Sequence, residues 1–415
     1  MKVMQGRTRP LQARVTRNSD KILDAALMIL ANEGWGELTI SQVARESALS
    51  PFTIRSRAAT PGALAAWLWR DRLAPVALEL LASSLAESQS ESECAGQPGE
   101  HHALVTAGRT ALTRTPELDA IAEILVIAYF DADLAEAVDE SLSGPLQAWC
   151  TPSARLSPEN AARAAYTVSL TMGLLLLSRY PWARDPGLDE ALRLRATALS
   201  TQVSPEQLPE ADASHMDVRP ILAADDEALD LLLNAALESI SRLGFDATTV
   251  KDITEAAGYS EGLAFGRYRT KMALFVDATS RQEAFGWREN AEFMRTIECK
   301  HGLAVAEAIY FREALSPGRR SARVMTLEQL RLSWHNIKLL TTAINVLRGF
   351  REQLIQEPGW GQIETEADFF LNTAAPLGAL LLPRLLPDAF TLPWNAVTVP
   401  LFHVLQDRPA QKHRS

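Results

Sequence analysis

The stretch from Ile22 to Leu64 occurs twice in this chain, and no other feature constrains the fold as strongly. When the sequence is shifted by 210 positions, LDAAL at residues 23–27 aligns with LNAAL at residues 233–237. A repeat at a constant offset indicates that one supersecondary unit is used more than once. We therefore expect two copies of one module. The alignment continues without a gap, and its identical pairs include Gly34 and Gly244, Thr39 and Thr249, Ser50 and Ser260, Arg57 and Arg267, Thr60 and Thr270, and Leu64 and Leu274.

The first part of each copy predicts an amphipathic helix. Apolar residues recur every three or four positions over residues 22–30, which is the period of a helix with one buried face. Gly34 and Gly244 predict the helix ends, because glycine adopts positive φ without a steric penalty.

Two further short helices are predicted by their capping residues. Thr39 offers an N-cap oxygen with Gln42 as its capping-box partner, whereas Thr249 and Asp252 repeat the spacing with a less usual acid. Ser50 caps a third helix, and the proline after it suits the first helical position. Each copy is therefore predicted to be a three-helix unit containing a helix-turn-helix.

The two segments ILDAALMILANEGWGELTISQVARESALSPFTI and NAALESISRLGFDATTVKDITEAAGYSEGLAFGRYRTKMALF resemble the N-terminal DNA-binding domain of TetR-type transcriptional regulators. The resemblance covers about fifty residues per copy and concerns only helical architecture beyond that. It implies double-stranded DNA as a partner, a small-molecule effector bound in a helical segment, and pairing through the last two long helices.

The resemblance and the cap positions together identify candidate DNA contacts. Thr39 and Ser50 would place backbone N–H groups at phosphates. The family usually has an aromatic residue and then a lysine that touch phosphates near the end of this unit, and only the second copy keeps them. The candidates are Thr39, Ser50, Thr53, Arg55 and Arg57 in the first copy, and Thr249, Ser260, Gly262, Phe265, Arg267, Tyr268 and Lys271 in the second.

Net charge favours the first copy as the one that binds DNA. Residues 1–72 hold eleven Lys or Arg and six Asp or Glu, a net charge of +5, whereas residues 217–288 hold eight and twelve, a net charge of −4. Phosphate contact is mainly electrostatic, so the positive charge of the first copy suits DNA better. The second copy keeps more of the residues with which the family contacts phosphates. Five basic and no acidic residues in 1–18 predict a flexible basic arm, either a solvated tail or a minor-groove contact.

Composition limits the class of protein. The net charge of −10 does not exclude DNA binding, since the distribution of charge matters more than its sum. Three unpaired cysteines suggest a reducing cytoplasm, and we expect no secretory signal and no membrane span. Because no phosphate loop, nucleophile elbow or metal-ligand motif is present, we expect no enzyme activity, metal or cofactor.

The expected fold class is all-α, with each three-helix DNA-binding domain (a head) followed by a helical ligand-binding and dimerisation segment (a body). A weaker alignment at an offset of 205 relates the bodies, and it overlays Glu123-Ile124-Leu125 on Glu328-Gln329-Leu330. A mobile loop is predicted at 83–102, with breaks at prolines such as Pro145. The predicted boundaries are a first head at 19–66, a first body at 67–203, a linker at 204–220, a second head at 221–276 and a second body at 277–407.

The last helices of each body, predicted at 158–180 with 187–202 and at 364–386 with 393–407, are markedly apolar. A face this apolar needs a partner helix. We therefore expect the two bodies to pack as an intramolecular pseudo-dimer. The alternative is that each half pairs with another chain, which would give four heads.

The candidate ligand pocket is the least specific prediction. Trp334 and His335 are placed in an apolar helix of the second body, where a satisfied core histidine is the competing interpretation. Arg179 and Arg384 could bind an anionic ligand, or they could simply reach solvent from apolar helix ends.

The sequence thus favours a ligand-responsive repressor in which an effector tilts the helix that follows each head. Its two unlike heads would read an asymmetric operator. The alternative is a helical ligand-binding or protein-interaction protein whose heads have lost DNA binding.

Overall fold

The computed structural model describes residues 8–90, 102–201, 208–209, 220–355 and 365–406. Within these ranges the chain is all-α, and the only β-bridge joins Ser153 to Leu156 in a turn. None of the described helices is both long and apolar enough to cross a bilayer. The all-α fold class predicted from the sequence is confirmed.

The helices between residues 8 and 200 form the first head and the first body. In the segment after the first head, a π-helical turn at Trp69–Leu73 separates two α-helices. The helices are α1 (Thr8–Asn32), α2 (Ile40–Ser47), α3 (Pro51–Arg55), α4 (Pro61–Leu68), α5 (Ala74–Ser90), α6 (His102–Leu112), α7 (Pro116–Ile127), α8 (Ala132–Cys150), α9 (Pro158–Leu176) and α10 (Leu188–Ser200).

The helices between residues 227 and 406 follow in a similar order. Here the helix after the second head is a single α-helix of 31 residues, without a π-helical turn. The helices are α11 (Glu227–Leu243), α12 (Val250–Ala257), α13 (Glu261–Arg267), α14 (Lys271–His301), α15 (Leu303–Leu315), α16 (Arg320–Ser333), α17 (Ile337–Leu354), α18 (Glu366–Ala379), α19 (Leu382–Leu385) and α20 (Asn395–Gln406).

Three predictions of irregular structure need correction. The arm predicted as flexible at 1–18 is helical from Thr8, and residues 1–7 lie outside the described residues. The loop predicted at 83–102 is helical up to Ser90, and its remainder before His102 also lies outside them. The break predicted at Pro145 is absent, because α8 continues through it with Leu142 and Leu146 fully buried on either side. Burial of that apolar face outweighs the hydrogen bond that proline removes. Of the linker predicted at 204–220, the structure describes only residues 208–209 and 220.

The chain forms two compact units. One comprises residues 1–78 and 114–142, and it holds the first head together with α7 and the start of α8. Its core is built from fully buried side chains of α1, α4 and α7, such as Ile22, Leu64 and Ile124. The first head therefore shares its hydrophobic core with a helix of the first body.

The other unit comprises residues 79–113 and 143–415, so it contains the second head, the second body and the last helices of the first body. In its centre α9 packs along α18, α10 packs on α18, α20 packs on α9, and α10 and α20 pack on each other. A Cβ atom at Gly173 would overlap the carbonyl oxygen of Ala374, and one at Gly378 would overlap that of Ser169. These glycines therefore let the two helix backbones touch.

Candidate nucleic-acid interface

The first head contains the predicted helix-turn-helix. Thr39 caps α2, accepting a 3.1 Å hydrogen bond from the Gln42 backbone N–H, and Ser50 caps α3, accepting a 3.2 Å hydrogen bond from the Thr53 N–H. Between these helices Ala48 adopts a left-handed conformation with φ of 53°. The caps that the sequence predicted are present, but the Gln42 side chain bonds to Glu33 and Arg45 instead of completing a capping box.

The second head repeats this geometry with a better capping box. The Thr249 side chain accepts a hydrogen bond from the Asp252 N–H (3.1 Å), and the Asp252 carboxylate accepts one from the Thr249 N–H (2.8 Å). The Thr249 hydroxyl also donates to the Asp252 carboxylate at 2.7 Å, and this bond, followed by the bond from the Thr249 N–H, lowers the pKa of Asp252. The sequence had favoured the first head for a complete box, so that ranking was wrong. Glycine fills the turn here, with φ of 76° at Gly258.

We use the name recognition helix for the third helix of each head, α3 or α13, after its position in the helix-turn-helix, and the two expose the same positions. Only Ile54 and Ala264 are buried in them, and these residues are 210 positions apart. Each recognition helix also carries one large exposed apolar side chain: Phe52 is 81% exposed and Phe265 is 53% exposed. The sequence had nominated Phe265 but not Phe52.

The arginine shared by both heads contacts the first helix of its own head. Arg57 donates to the Ser19 hydroxyl and, at 3.3 Å, to the Val15 carbonyl. Arg267 forms a two-point ion pair with Asp226, with N–O distances of 2.5 and 3.3 Å. This hydrogen bonding lowers the pKa of Asp226. In the first head the arginine links the segment after α3 to the middle of α1, and in the second head it links the end of α13 to the N-cap of α11.

Lys271 and Tyr268 also have partners inside the second head. The Lys271 amine donates to the carbonyls of Phe245 (2.6 Å) and Thr248 (2.7 Å) and lies 4.2 Å from the centre of the Phe245 ring. Desolvation lowers the pKa of Lys271. The Tyr268 hydroxyl donates to Asp277 at 2.5 Å. If the Lys271 amine or the Tyr268 hydroxyl contacts a phosphate, it does so while it also makes these bonds within the protein.

The remaining candidates lie on the outer side of the recognition helices. Arg55 is exposed and has no hydrogen bond or ion pair with any described residue. Ser260 is exposed and makes no side-chain cap bond. Added Cβ atoms at Gly262 and Gly266 would be clear of other atoms, the nearest being Ser260 Oγ at 3.6 Å from the one at Gly262. Packing within the head therefore does not require glycine at either position.

One repeated contact was visible in the sequence only as an aligned pair. Glu123 Oε1 accepts a 2.8 Å hydrogen bond from the Trp35 N–H, and Glu328 Oε1 accepts one of 2.7 Å from the Phe245 N–H. Both glutamates are fully buried. Since their partners are backbone groups more than 80 residues away, side-chain patterns alone could not reveal the contact.

The predicted ligand-pocket residues lie only partly where the sequence placed them. Trp334 and His335 form the turn after α16, not part of an apolar helix, because Asn336 begins a new helix by accepting hydrogen bonds at its side-chain oxygen. The Arg179 guanidinium donates to the Trp334 carbonyl at 2.7 Å and faces its ring at 5.9 Å. Arg384 lies in α19. The contact between Arg179 and Trp334 occupies donors that an anionic ligand would need.

The second body also contains two half-buried acids that the sequence did not single out. Burial raises the pKa of Glu283 and of Glu307 to about 7 each. Gln329 hydrogen-bonds Glu283, which partly offsets the effect of burial there. Among the described residues no cluster of three or more His, Cys, Asp or Glu could hold a metal ion.

Comparison with known proteins bears on the second head. No curated protein matches the chain. Residues 232–278, however, match the family model of bacterial regulatory proteins of the tetR family. The matched range covers most of α11, all of α12 and α13, and the start of α14. The second head is therefore similar to the DNA-binding domain of tetR-family regulators, which supports a DNA-binding regulator.

Proposed function

We propose that this chain is a transcriptional regulator in which two TetR-like halves pair within one polypeptide and read an asymmetric DNA site. The observation that carries the proposal is the recurrence, 210 residues apart, of a capped helix-turn-helix with an exposed recognition helix. One of the two copies lies in the segment that matches the tetR family model.

The glycines of the second recognition helix support contact with another molecule. Glycine costs up to about 0.5–1 kcal/mol relative to alanine in a helix. Gly262 and Gly266 lie near the two ends of α13, and packing within the head does not require glycine at either position. Glycine is favoured where a ligand approaches the backbone closely. Close approach of a DNA backbone to this helix would explain why glycine occupies both positions.

The reciprocal glycine contact supports the pseudo-dimer. In a two-fold interface, residue i of one partner meets residue j of the other, and j meets i. Gly173 and Gly378 are related by the offset of 205, and so are their contacts Ser169 and Ala374. We propose that α9, α10, α18 and α20 form the four-helix dimerisation bundle of a homodimeric family, closed here within one chain.

Different recognition helices support an asymmetric operator. Arg55 corresponds to Phe265, and Phe52 corresponds to Gly262. Arginine reads guanine in the major groove, whereas phenylalanine favours the thymine methyl group. The two heads would therefore prefer different half-sites, with Thr39, Ser50, Thr249 and Ser260 positioned to orient each head on phosphates.

A second candidate function is favoured by the charge of the second head. Arg267 and Lys271 are engaged inside the head, and residues 217–288 carry a net charge of −4. A head of this kind could serve protein interaction while the first head alone binds DNA. Repression and response to a small-molecule effector remain proposals that rest on the family resemblance.

Selection of bound sequences from a random duplex pool, with the full chain, tests the proposal. We expect two unlike half-sites at a constant separation. A perfect palindrome would show that identical heads of two chains do the reading, and the pseudo-dimer would be abandoned. A single half-site would favour the second candidate, in which only one head binds.

A further inference from the structure

Each body places one fully buried glutamate against the backbone of the head in its own half. Glu123 on α7 accepts from the Trp35 N–H, and Glu328 on α16 accepts from the Phe245 N–H, at 2.8 and 2.7 Å. A buried carboxylate is costly unless it is hydrogen-bonded, and such charge-assisted bonds are stronger than neutral ones. These contacts therefore fix the body helix to the head at one defined atom.

The bonded amide lies at the turn between the first helix of the head and its helix-turn-helix, so the contact can change the orientation of the head. Trp35 and Phe245 directly follow Gly34 and Gly244, which have φ of 89° and 80° at the end of the first helix. From this turn the chain leads into the helix-turn-helix. A shift of α7 or α16 therefore acts on the head at the turn that sets its orientation, independently of the helix that follows the head.

The side chains at the aligned positions around the two contacts differ. In the second half Arg331 donates to both carboxylate oxygens of Glu328, at 2.7 and 2.9 Å, and also to Asp246 at 2.7 Å. The corresponding positions in the first half are Val126 and Gly36, which offer neither the guanidinium nor the acid. The second contact is thus a clamp of three charged side chains around one backbone amide.

We propose that Glu123 and Glu328 are positioning residues that transmit the orientation of α7 and α16 to the two heads. The regulatory meaning of this coupling rests on the proposed function, because it assumes that the heads read DNA. The coupling itself is a property of the free chain and can be measured without DNA.

Hydrogen–deuterium exchange of the full chain tests the coupling first. Glu123→Ala removes the acceptor of the Trp35 N–H and should accelerate exchange in the first head. Glu328→Gln should accelerate exchange over residues 244–267, because the amide group cannot accept both Arg331 donors. Equal exchange in wild type, Glu123→Ala and Glu328→Gln would overturn the proposal.

A matched control separates positioning from general loss of stability. Asp368 forms another fully buried ion pair, with Arg195 at 3.0 Å between α18 and α10. Asp368→Asn should destabilise the chain to a comparable degree while leaving exchange in the heads unchanged relative to the rest of the molecule. If Asp368→Asn accelerates exchange in the heads as much as Glu328→Gln does, the glutamate has only a structural role and the proposal fails.

DNA binding gives the second readout, with the duplex recovered by selection on the wild-type chain. Coupling between sites typically changes affinity about 5–150-fold, so Glu123→Ala and Glu328→Gln should weaken binding at least about five-fold, and Asp368→Asn should weaken it less. Faster exchange with unchanged affinity would overturn the positioning role. If the wild-type chain binds no DNA, the proposed function fails, and the exchange comparison alone decides the coupling.

Discussion

Gly173 and Gly378 make reciprocal contacts between α9 and α18, because each lies against the backbone of the residue four positions before the other glycine. Gly173 lies on the Ala374 carbonyl and Gly378 lies on the Ser169 carbonyl. Since both obstacles are backbone atoms, a side-chain rotation cannot make room for a Cβ atom at either position.

Substitution of either glycine should therefore destabilise the chain. We expect Gly173→Ala and Gly378→Ala each to lower the free energy of unfolding by about 1–3 kcal/mol, the usual cost of overpacking. Gly144 in α8 is the matched control, because a Cβ there meets nothing within 4 Å, and Gly144→Ala should be neutral or stabilising by about 0.5–1 kcal/mol. Urea unfolding of the three variants measures this. Equal stability of all three would contradict the close helix contact.

Alanine in the second recognition helix should have opposite effects on stability and on DNA binding. Gly262→Ala and Gly266→Ala replace glycines near the two ends of α13 without a clash, so each should raise stability by at most about 0.5–1 kcal/mol, the gain for a helix interior. If DNA approaches this helix closely, the same variants should weaken binding. Thermal unfolding and gel-shift titration measure the two quantities. Increased stability with unchanged affinity would remove this face of the second head from the interface.

Loss of the Lys271 amine should affect the fold and the salt dependence of binding. Lys271→Ala leaves the Phe245 and Thr248 carbonyls without this donor, which should cost about 1–3 kcal/mol of stability. If Lys271 also touches a phosphate, affinity should fall for every sequence and the slope of log K against log salt should fall by about 0.9. Lys338→Ala, an exposed lysine of the second body, is the charge-matched control. A wild-type slope would assign Lys271 to the fold alone.

Arginine substitution tests the first head in the same assay. Arg57→Ala should loosen the contact between the segment after α3 and α1, since the guanidinium bonds to Ser19 and Val15. If Arg57→Ala and Lys271→Ala both leave affinity for the selected duplex unchanged, the DNA-binding function is wrong.

The exposed phenylalanines should read thymine methyl groups at different positions of the two half-sites. Replacing the contacted thymine by deoxyuridine removes only the methyl group. It should weaken wild-type binding, within the range of about 1–3 kcal/mol found for a base mismatch, but not the binding of Phe52→Ala. Phe265→Ala should show the same insensitivity in the other half-site. Ile337→Ala, 74% exposed in the second body, should respond as wild type does. A uracil effect that persists in Phe52→Ala would exclude the contact.

Stability should fall as the pH rises towards neutral, because of Glu283 and Glu307. Burial raises the pKa of each from 4.5 to about 7 in the folded state. The folded chain then binds more protons than the unfolded chain between these values, so the free energy of unfolding decreases from pH 5 to pH 8. Glu283→Gln and Glu307→Gln should flatten this dependence and raise stability at pH 8. Unfolding curves across the range measure it, with exposed Glu292→Gln as the control that should leave the slope unchanged.

The sequence predicts the heads well because their signals are local. Caps at Thr39, Ser50 and Thr249 depend on residues three positions away, and the positive φ of Gly34 and Gly244 depends on the absence of a side chain. Both kinds of signal are readable without knowing the tertiary structure.

The directions of long side chains could not be predicted in this way. Arg57 and Arg267 stand out as a conserved pair within the repeat, yet each contacts a helix about forty residues earlier. Glu123 and Glu328 bind backbone amides, which leave no trace in side-chain identity. Helix α8 continues through Pro145 because the burial of its neighbours outweighs the local signal.

The contact between α9 and α18 closes within one polypeptide, and this changes how the active species depends on the amount of protein. In a dissociating homodimer, the concentration of paired heads falls with the square of the monomer concentration when the protein is scarce. Under the proposed intramolecular pairing, it falls only in direct proportion. Occupancy of the operator would then depend hyperbolically on the protein concentration, even at a few molecules per cell, because no subunits have to associate first.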